Sequence, residues 1–222
     1  MKSDRTSFPA VIFDLDGTLL DTLEDIGDSM NITLQKMGFP AHPIEAYRYL
    51  TGDGVFMLAE RSLPPGRKDE ITLQACIKEF RAEYARRFFD KTRPYDGIPE
   101  LLDELTSRQI TLNILSNKLD EFAKLAADRM LSKWRFVYVL GARRDVPKKP
   151  DPAGALLIAQ KLGMNPAAFA YLGDTDTDMR TAVQAGMFPV GALWGFRDEK
   201  ELRQGGAREL IRSPAEFLRF FA

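Results

Sequence analysis

Ala10-Val11-Ile12-Phe13-Asp14-Leu15-Asp16-Gly17-Thr18-Leu19-Leu20-Asp21-Thr22 is the stretch that decides the fold. Its first four residues are apolar at every position, the pattern of a strand buried on both faces in an open parallel sheet. Such sheets bind ligands outside the carboxyl ends of their strands, so Asp14 is expected to point into a crevice. Asp14 and Asp16 stand two residues apart and would repel each other unless a cation or a shared proton offsets them. The pair therefore reads as metal ligands, or as a nucleophile and an acid with separate roles, and the two readings are compatible.

Composition narrows the classes around this strand end. With 45% apolar residues, the 222-residue chain can bury one large core or two small ones. Lys plus Arg number 31 against 32 Asp plus Glu, so no strong field favours nucleic acid or an anionic membrane, and neither is expected as a partner. Cys76 is the single cysteine, which excludes an internal disulfide and a cysteine zinc cluster and fits a reducing compartment. Its place among the apolar positions of a helix reads as a small buried hydrophobe. His42 is also alone, in a turn between Ala41 and Pro43, and a Ser-His-Asp hydrolase is hard to build from it. No stretch approaches 18 consecutive apolar residues, and the first 13 residues lack a basic region leading into a long apolar run; a cytoplasmic location is expected.

Further short apolar runs with turn signals at their ends occur at Ile110 to Leu115, Phe136 to Leu140, Phe169 to Leu172 and Pro189 to Leu193. Helical patterns at 97–108, 119–130, 152–162 and 176–185 lie between them. This alternation predicts a parallel sheet with helices packed on it. Asp151 as N-cap, Pro152 at the first helical position and Gly163 after the last turn mark the bounds of the 152–162 helix. Ser213-Pro214 opens an apolar-periodic tail, Ala215 to Phe221, expected as a last packed helix. Residues 22–93 break the rhythm with helical patterns only, at about 22–37, 43–50, 54–63 and 69–90. Ile71, Ala75, Phe80, Tyr84 and Phe88 recur there at helical spacing and read as bundle core. The expected division is a core of residues 1–20 and 94–222 with an inserted helical domain of residues 21–93, joined at the turn-rich Pro94-Tyr95-Asp96-Gly97.

Four polar segments end strand candidates: Asp14-Leu15-Asp16, Ser116-Asn117-Lys118, Lys148-Lys149-Pro150 and Gly173-Asp174-Thr175-Asp176-Thr177-Asp178. In this order they resemble the four motifs of the haloacid dehalogenase-like hydrolases. The helical insertion after the first motif and the Leu193-Trp194-Gly195-Phe196-Arg197 segment look like the phosphoglycolate phosphatase-like subgroup with its α-helical cap. The resemblance implies an α/β, Rossmann-like parallel-sheet core with helices on both faces. It further implies an enzyme that transfers a phosphoryl group to Asp14, with Asp16 protonating the leaving alkoxide and then activating water.

Residue chemistry agrees, because phosphoryl transfer needs an in-line nucleophile, an acid for the leaving oxygen and positive charge around the equatorial oxygens. By resemblance Lys149 supplies that charge, with Lys148 its competitor. Mg²⁺ is the implied cofactor, held by Asp14, Asp174 and the main-chain carbonyl of Asp16, with Asp178 either a direct ligand or behind one. Asp176 reads as a solvated residue in a first helical turn. On the substrate side the expected residues are Gly17, Thr18, Ser116 and Asn117 from the core, with Thr18 also helping to hold Asp16. Thr51, Gly52 and Arg48 are expected from the helical block, Arg48 and Arg61 as clamps for a second anionic group.

Asp16 argues against dehalogenation, which needs no acid for an alkoxide. The expected substrate is a small phosphorylated metabolite, 2-phosphoglycolate first, acted on by a monomer or homodimer. The alternatives are a β-phosphoglucomutase-like phosphomutase, a nucleotidase or pyrophosphatase, and a phospho-aspartate receiver-like domain.

Overall fold

The computed structural model describes residues 8–221, so the expected core segments are described without residues 1–7 and 222. In chain order the elements are β1 (Ala10–Phe13), β2 (Leu20–Asp21), α1 (Leu23–Lys36), α2 (Tyr47–Leu50), α3 (Val55–Ser62), α4 (Glu70–Arg87) and β3 (Arg93–Pro94). There follow α5 (Ile98–Ser107), β4 (Thr111–Leu119), α6 (Asp120–Met130), β5 (Phe136–Ala142), α7 (Ala153–Leu162), β6 (Phe169–Gly173), α8 (Asp176–Gln184), β7 (Phe188–Ala192), α9 (Glu199–Gly205) and β8 (Glu209–Ile211).

Six strands form one parallel sheet in the order β5-β4-β1-β6-β7-β8. The apolar β1 is wholly buried at its centre. Val11 and Phe13 face a cluster with Ile98, Leu101 and Leu105 of α5 and Ala123 and Ala126 of α6. Ala10 and Ile12 face the opposite cluster, with Ala155 and Ile158 of α7 and Ala182 of α8. Period-two alternation thus distributes one four-residue strand between two helical layers. The chain passes from β1 to β4 and β5 on one side and then crosses to β6, β7 and β8 on the other, so a crevice opens at the carboxyl end of β1, where Asp14 begins.

The four helices α1–α4 pack around their own apolar cluster, which includes Met30, Leu34, Tyr47, Leu58, Cys76 and Phe80 and reaches Phe122 of α6. Cys76 is buried with Sγ 3.8 Å from Met30 Sδ. Entry to these helices and return from them run side by side, because β2 and β3 pair antiparallel with Asp21 opposite Arg93. No helix among the described residues is long and apolar enough to cross a membrane.

Several bounds differ from those the periodicity predicts. The tail is a 3₁₀ helix, Pro214–Phe220, rather than an α-helix. Three residues per turn align Pro214, Phe217 and Phe220 on one side, with Phe217 inside the α5-facing cluster and Phe220 packed against it. The 43–50 segment divides into a 3₁₀ turn, Ile44–Ala46, and α2. Strand β4 runs on through Ser116, Asn117 and Lys118 instead of ending at Leu115, with a register shift between Leu115 and Leu119. The short β2, β3 and β8, and α9, carry too little periodicity to be read from sequence.

Candidate active site

Asp14 is seated where β1 ends, its backbone N–H donating to the Leu172 carbonyl at 2.9 Å. The chain then turns tightly. Leu19 and Leu20 donate backbone N–H groups to the Leu15 carbonyl, and Gly17, at φ +87°, donates to Leu20 at 2.9 Å. Asp14 is 6% exposed, and the ammonium of Lys149 lies 2.8 Å from its Oδ1 and 2.6 Å from Asp178 Oδ1. Asn117 fixes the Lys149 backbone from both sides: Lys149 N–H donates to Asn117 Oδ1 at 2.9 Å, and Asn117 Nδ2 donates to the Lys149 carbonyl at 3.1 Å. Lys148 is exposed, its Nζ 3.5 Å from the Asp53 carbonyl, so the inward lysine of the doublet is Lys149.

Asp174 follows β6 and is fully buried. It accepts from Thr18 Oγ1 at 2.7 Å and from the Phe196 backbone N–H at 2.8 Å. Thr18 therefore braces Asp174, not Asp16 as the loop suggested, and Trp194 Nε1 donates to the Thr18 carbonyl at 3.0 Å. The packing leaves no room for side chains nearby, since a Cβ on Gly17 or Gly195 would stand 2.3 Å or 2.2 Å from Asp174 atoms. Asp178 sits in the first turn of α8, where Thr175 N–H and Oγ1 donate to its Oδ2 at 3.1 and 2.6 Å. Asp176, one turn edge away, pairs with Arg180 on the surface.

Asp14, Asp174 and Asp178 each offer a carboxylate oxygen within 4.8 Å of one another. Burial, reinforced by the Asp178 charge, pushes the Asp14 carboxyl well above the usual range. The same two causes push Asp174 up to about 7. Burial works against the Lys149 ammonium, but Asp14 and Asp178 outweigh it and hold this group well above its ordinary value. Three carboxylates against one ammonium leave excess negative charge, and buried Asp14 Oδ1 has no well-aligned hydrogen-bond donor. Hard oxygen donors with a charge deficit of this sign fit a divalent cation. The Asp16 carboxylate stands apart from the cluster.

Asp16 pairs instead with Lys118, a residue that the four-motif resemblance leaves without a role. Lys118 Nζ lies 2.8 Å from Asp16 Oδ1 and 3.1 Å from Oδ2, and donates to Tyr84 Oη of α4 at 2.6 Å. The ammonium also lies 4.7 Å from the Tyr84 ring centroid. Tyr84 repeats at the spacing of core residues, and nothing in that spacing distinguishes a hydroxyl aimed at the crevice. Asp14, Asp16, Thr51, Gly52, Ser116 and Asn117 line one cavity between sheet and helices, together with Lys118 and Tyr84. Ser116 Oγ accepts from the Lys118 backbone N–H at 3.2 Å.

Arg48, expected as an anion clamp, does not line this cavity; its Nη1 donates to the Gly195 carbonyl at 2.6 Å. Arg61 is tied to Asp53 at 2.5 Å, and Asp53 in turn accepts from Thr177 Oγ1 at 3.0 Å. Arg197 donates to the carbonyls of Arg48 and Thr51, and Asn117 Nδ2 donates to the Gly52 carbonyl at 3.2 Å. The 48–54 segment, the end of α2 and the loop after it, is therefore stitched to the strand ends largely through main-chain acceptors, contacts that no side-chain pattern announces.

The haloacid dehalogenase-like hydrolase family model matches residues 11–192. A phosphoglycolate phosphatase of Aquifex aeolicus is 33% identical over 187 residues, 84% of this chain and 85% of that protein. One from Pseudomonas putida is 30% identical, over 84% of this chain and 70% of that protein. A solved structure from Lactobacillus delbrueckii subsp. bulgaricus shares the fold with TM-score 0.89 at 24% identity, over 95% of this chain and 97% of that one. A haloacid dehalogenase-like family hydrolase from Streptococcus pneumoniae does so with TM-score 0.87 at 22% identity, over 98% and 99%. With its strand-end carboxylates, inward lysine and helical insertion, the chain belongs to the haloacid dehalogenase-like hydrolase family.

Proposed function

We propose that this protein is a Mg²⁺-dependent phosphatase of a small phosphomonoester, working through an aspartyl-phosphate on Asp14. The observation that carries this reading is that Asp14 lines the cavity while Lys149, outside the lining, contacts both it and Asp178. A carboxylate oxygen of Asp14 attacks phosphorus, the ester P–O bond breaks, and Asp16 gives its proton to the departing alkoxide. Water then attacks the same phosphorus, Asp16 takes its proton, and the P–O bond to Asp14 breaks to release phosphate. Lys149 neutralises negative charge gathering at the phosphoryl group, and Ser116 and Asn117 position it with Gly17 and Thr18 behind. Asp14, Asp174 and the Asp16 carbonyl would hold Mg²⁺, which when bound supplies further positive charge to the phosphoryl oxygens. Asp178, with both oxygens already engaged by Lys149 and Thr175, braces the site instead of ligating directly.

Residues 21–93 act in this reading as a cap over a core of 1–20 and 94–222, excluding water from the first step. The names of the relatives put 2-phosphoglycolate first among substrates. Apolar cavity walls, including Ile26, Val55, Leu58 and Phe122, would leave a hexose's hydroxyls without partners, which speaks for hydrolysis over sugar phosphomutation. A cytoplasmic place fits the single buried thiol of Cys76.

The test is phosphate release from 2-phosphoglycolate, nucleotides and hexose phosphates, with Mg²⁺ and with excess chelator, using Asp14→Asn as the blank. Metal-dependent release that vanishes in the variant is expected. No release from any ester, or undiminished release by the variant, overturns the proposal.

A further inference from the structure

The part of the cavity beyond Asp14 is where the leaving alcohol must sit, and its walls are apolar side chains of α1, α3, α4 and α6: Ile26, Leu58, Phe80 and Phe122. An anionic alcohol entering it would lose its water and need a cation in exchange. The three arginines of the neighbourhood are committed elsewhere: Arg48 to the Gly195 carbonyl, Arg61 to Asp53, and Arg197 to the Thr51 carbonyl. Lys149 does not line the cavity and is shared between Asp14 and Asp178. Among the described residues, Lys118 is the one cationic side chain lining the cavity, and it is nearly buried there.

Lys118 offers three donors, and all of its partners border the cavity: the two Asp16 oxygens and the Tyr84 hydroxyl. A neutral hydroxyl is the weaker of these partners, and a ligand carboxylate in its place would form a charge-assisted bond. We infer that Lys118 is the specificity-determining residue of this site, reading a single carboxylate on the leaving alcohol, so that the substrate is a short phosphorylated hydroxy acid. The inference rests on the phosphatase reading and narrows its substrate class. One ammonium already shared with Asp16 serves one extra negative charge, which sets diphosphates and bisphosphates aside. Tyr84, stacked at 5.3 Å on Phe80, lines the same cavity and presents its hydroxyl to Lys118.

The experiment compares kcat/KM of wild type and Lys118→Met on 2-phosphoglycolate and on 2-hydroxyethyl phosphate, its uncharged counterpart. Wild type is expected to favour the carboxylate ester, and the variant to lose about tenfold more on that ester than on the neutral one. Equal loss on both would mean that Lys118 acts only through Asp16, and would overturn the inference while leaving the phosphatase reading intact. Should the variant not fold, wild type supplies the same distinction through inhibition of aryl phosphate turnover. Competitive inhibition by glycolate but not by ethylene glycol supports the reading, and equal effects of the two overturn it. No release by wild type from any of these esters would defeat the phosphatase reading, and this inference with it.

Discussion

Arg197 reaches from the segment after β7 to the carbonyl of Thr51, donating through Nη2 at 3.0 Å, and so fastens the loop that follows α2 to the strand ends. The residue before it, Phe196, gives its backbone N–H to Asp174. One short segment thus holds both the loop that borders the cavity and a carboxylate of the acidic cluster. Arg197→Met removes the fastening and keeps most of the volume. Its kcat/KM is expected to fall about tenfold with an unchanged far-ultraviolet circular dichroism spectrum. Full activity in the variant would show that the loop needs no such tie.

Asp14→Asn removes the nucleophile and also one of three crowded carboxylates. Turnover should drop to below about a thousandth of wild type. Stability moves the other way. Burial and the Asp178 charge already disfavour an ionised Asp14, so the melting temperature of the metal-free variant should equal or exceed that of wild type. A clear loss of stability in calorimetry would mean that the carboxylate is structurally required.

The two lysines of the doublet should separate completely. Lys149→Met leaves Asp14 and Asp178 buried without their counter-ion, at a cost of about 3–5 kcal/mol in chemical denaturation, and abolishes phosphate release. Lys148→Met touches an exposed side chain, and its effect on stability should stay within about 0.5 kcal/mol. Comparable losses in both variants would contradict the inward placement of Lys149.

Asp174 gives the metal-free protein a pH dependence of defined sign. Its carboxyl is pushed up to about 7 by burial and the Asp178 charge, against an ordinary 3.8. Between these values the folded protein binds more protons than the unfolded chain, so this group makes stability fall as pH rises through that window. Divalent cation binding requires the ionised form, so the rise in melting temperature caused by Mg²⁺ should be small near about pH 5.5 and grow toward about pH 8. Melts with Mg²⁺ and with chelator across this range check it, and a pH-independent increment would contradict it.

What the sequence disclosed follows from how locally each feature is encoded. β1 was legible because four consecutive apolar residues carry their own burial signal, and the order of the polar segments at the strand ends carried the family. The carboxylates of Asp14, Asp174 and Asp178 converge because β1 and β6 are neighbours, and Lys149 joins them from the segment after β5 because Asn117 of β4 holds its backbone. Lys118 and Tyr84 are illegible for opposite reasons: Lys118 follows the Ser116-Asn117 pair with no motif role of its own, whereas Tyr84 falls within an apolar repeat in which its hydroxyl carries no signal. Arg48 lies away from the cavity because its guanidinium is directed at the Gly195 main-chain carbonyl, a partner invisible in sequence. The Thr18 contact was assigned to its neighbour Asp16 when its acceptor lies 156 positions away.

The pairing of Asp21 with Arg93 has a consequence for how this molecule can change. The chain departs for the four helices and comes back at adjacent rungs of one ladder, so residues 22–92 form an excursion whose ends already touch. A tight hairpin could close that gap without altering the order of the sheet. Conversely, a longer or different excursion could be spliced in at the same two rungs. The helical part of the cavity wall could therefore be exchanged as one cassette while Asp14, Asp174 and Lys118 stay in place on the sheet side.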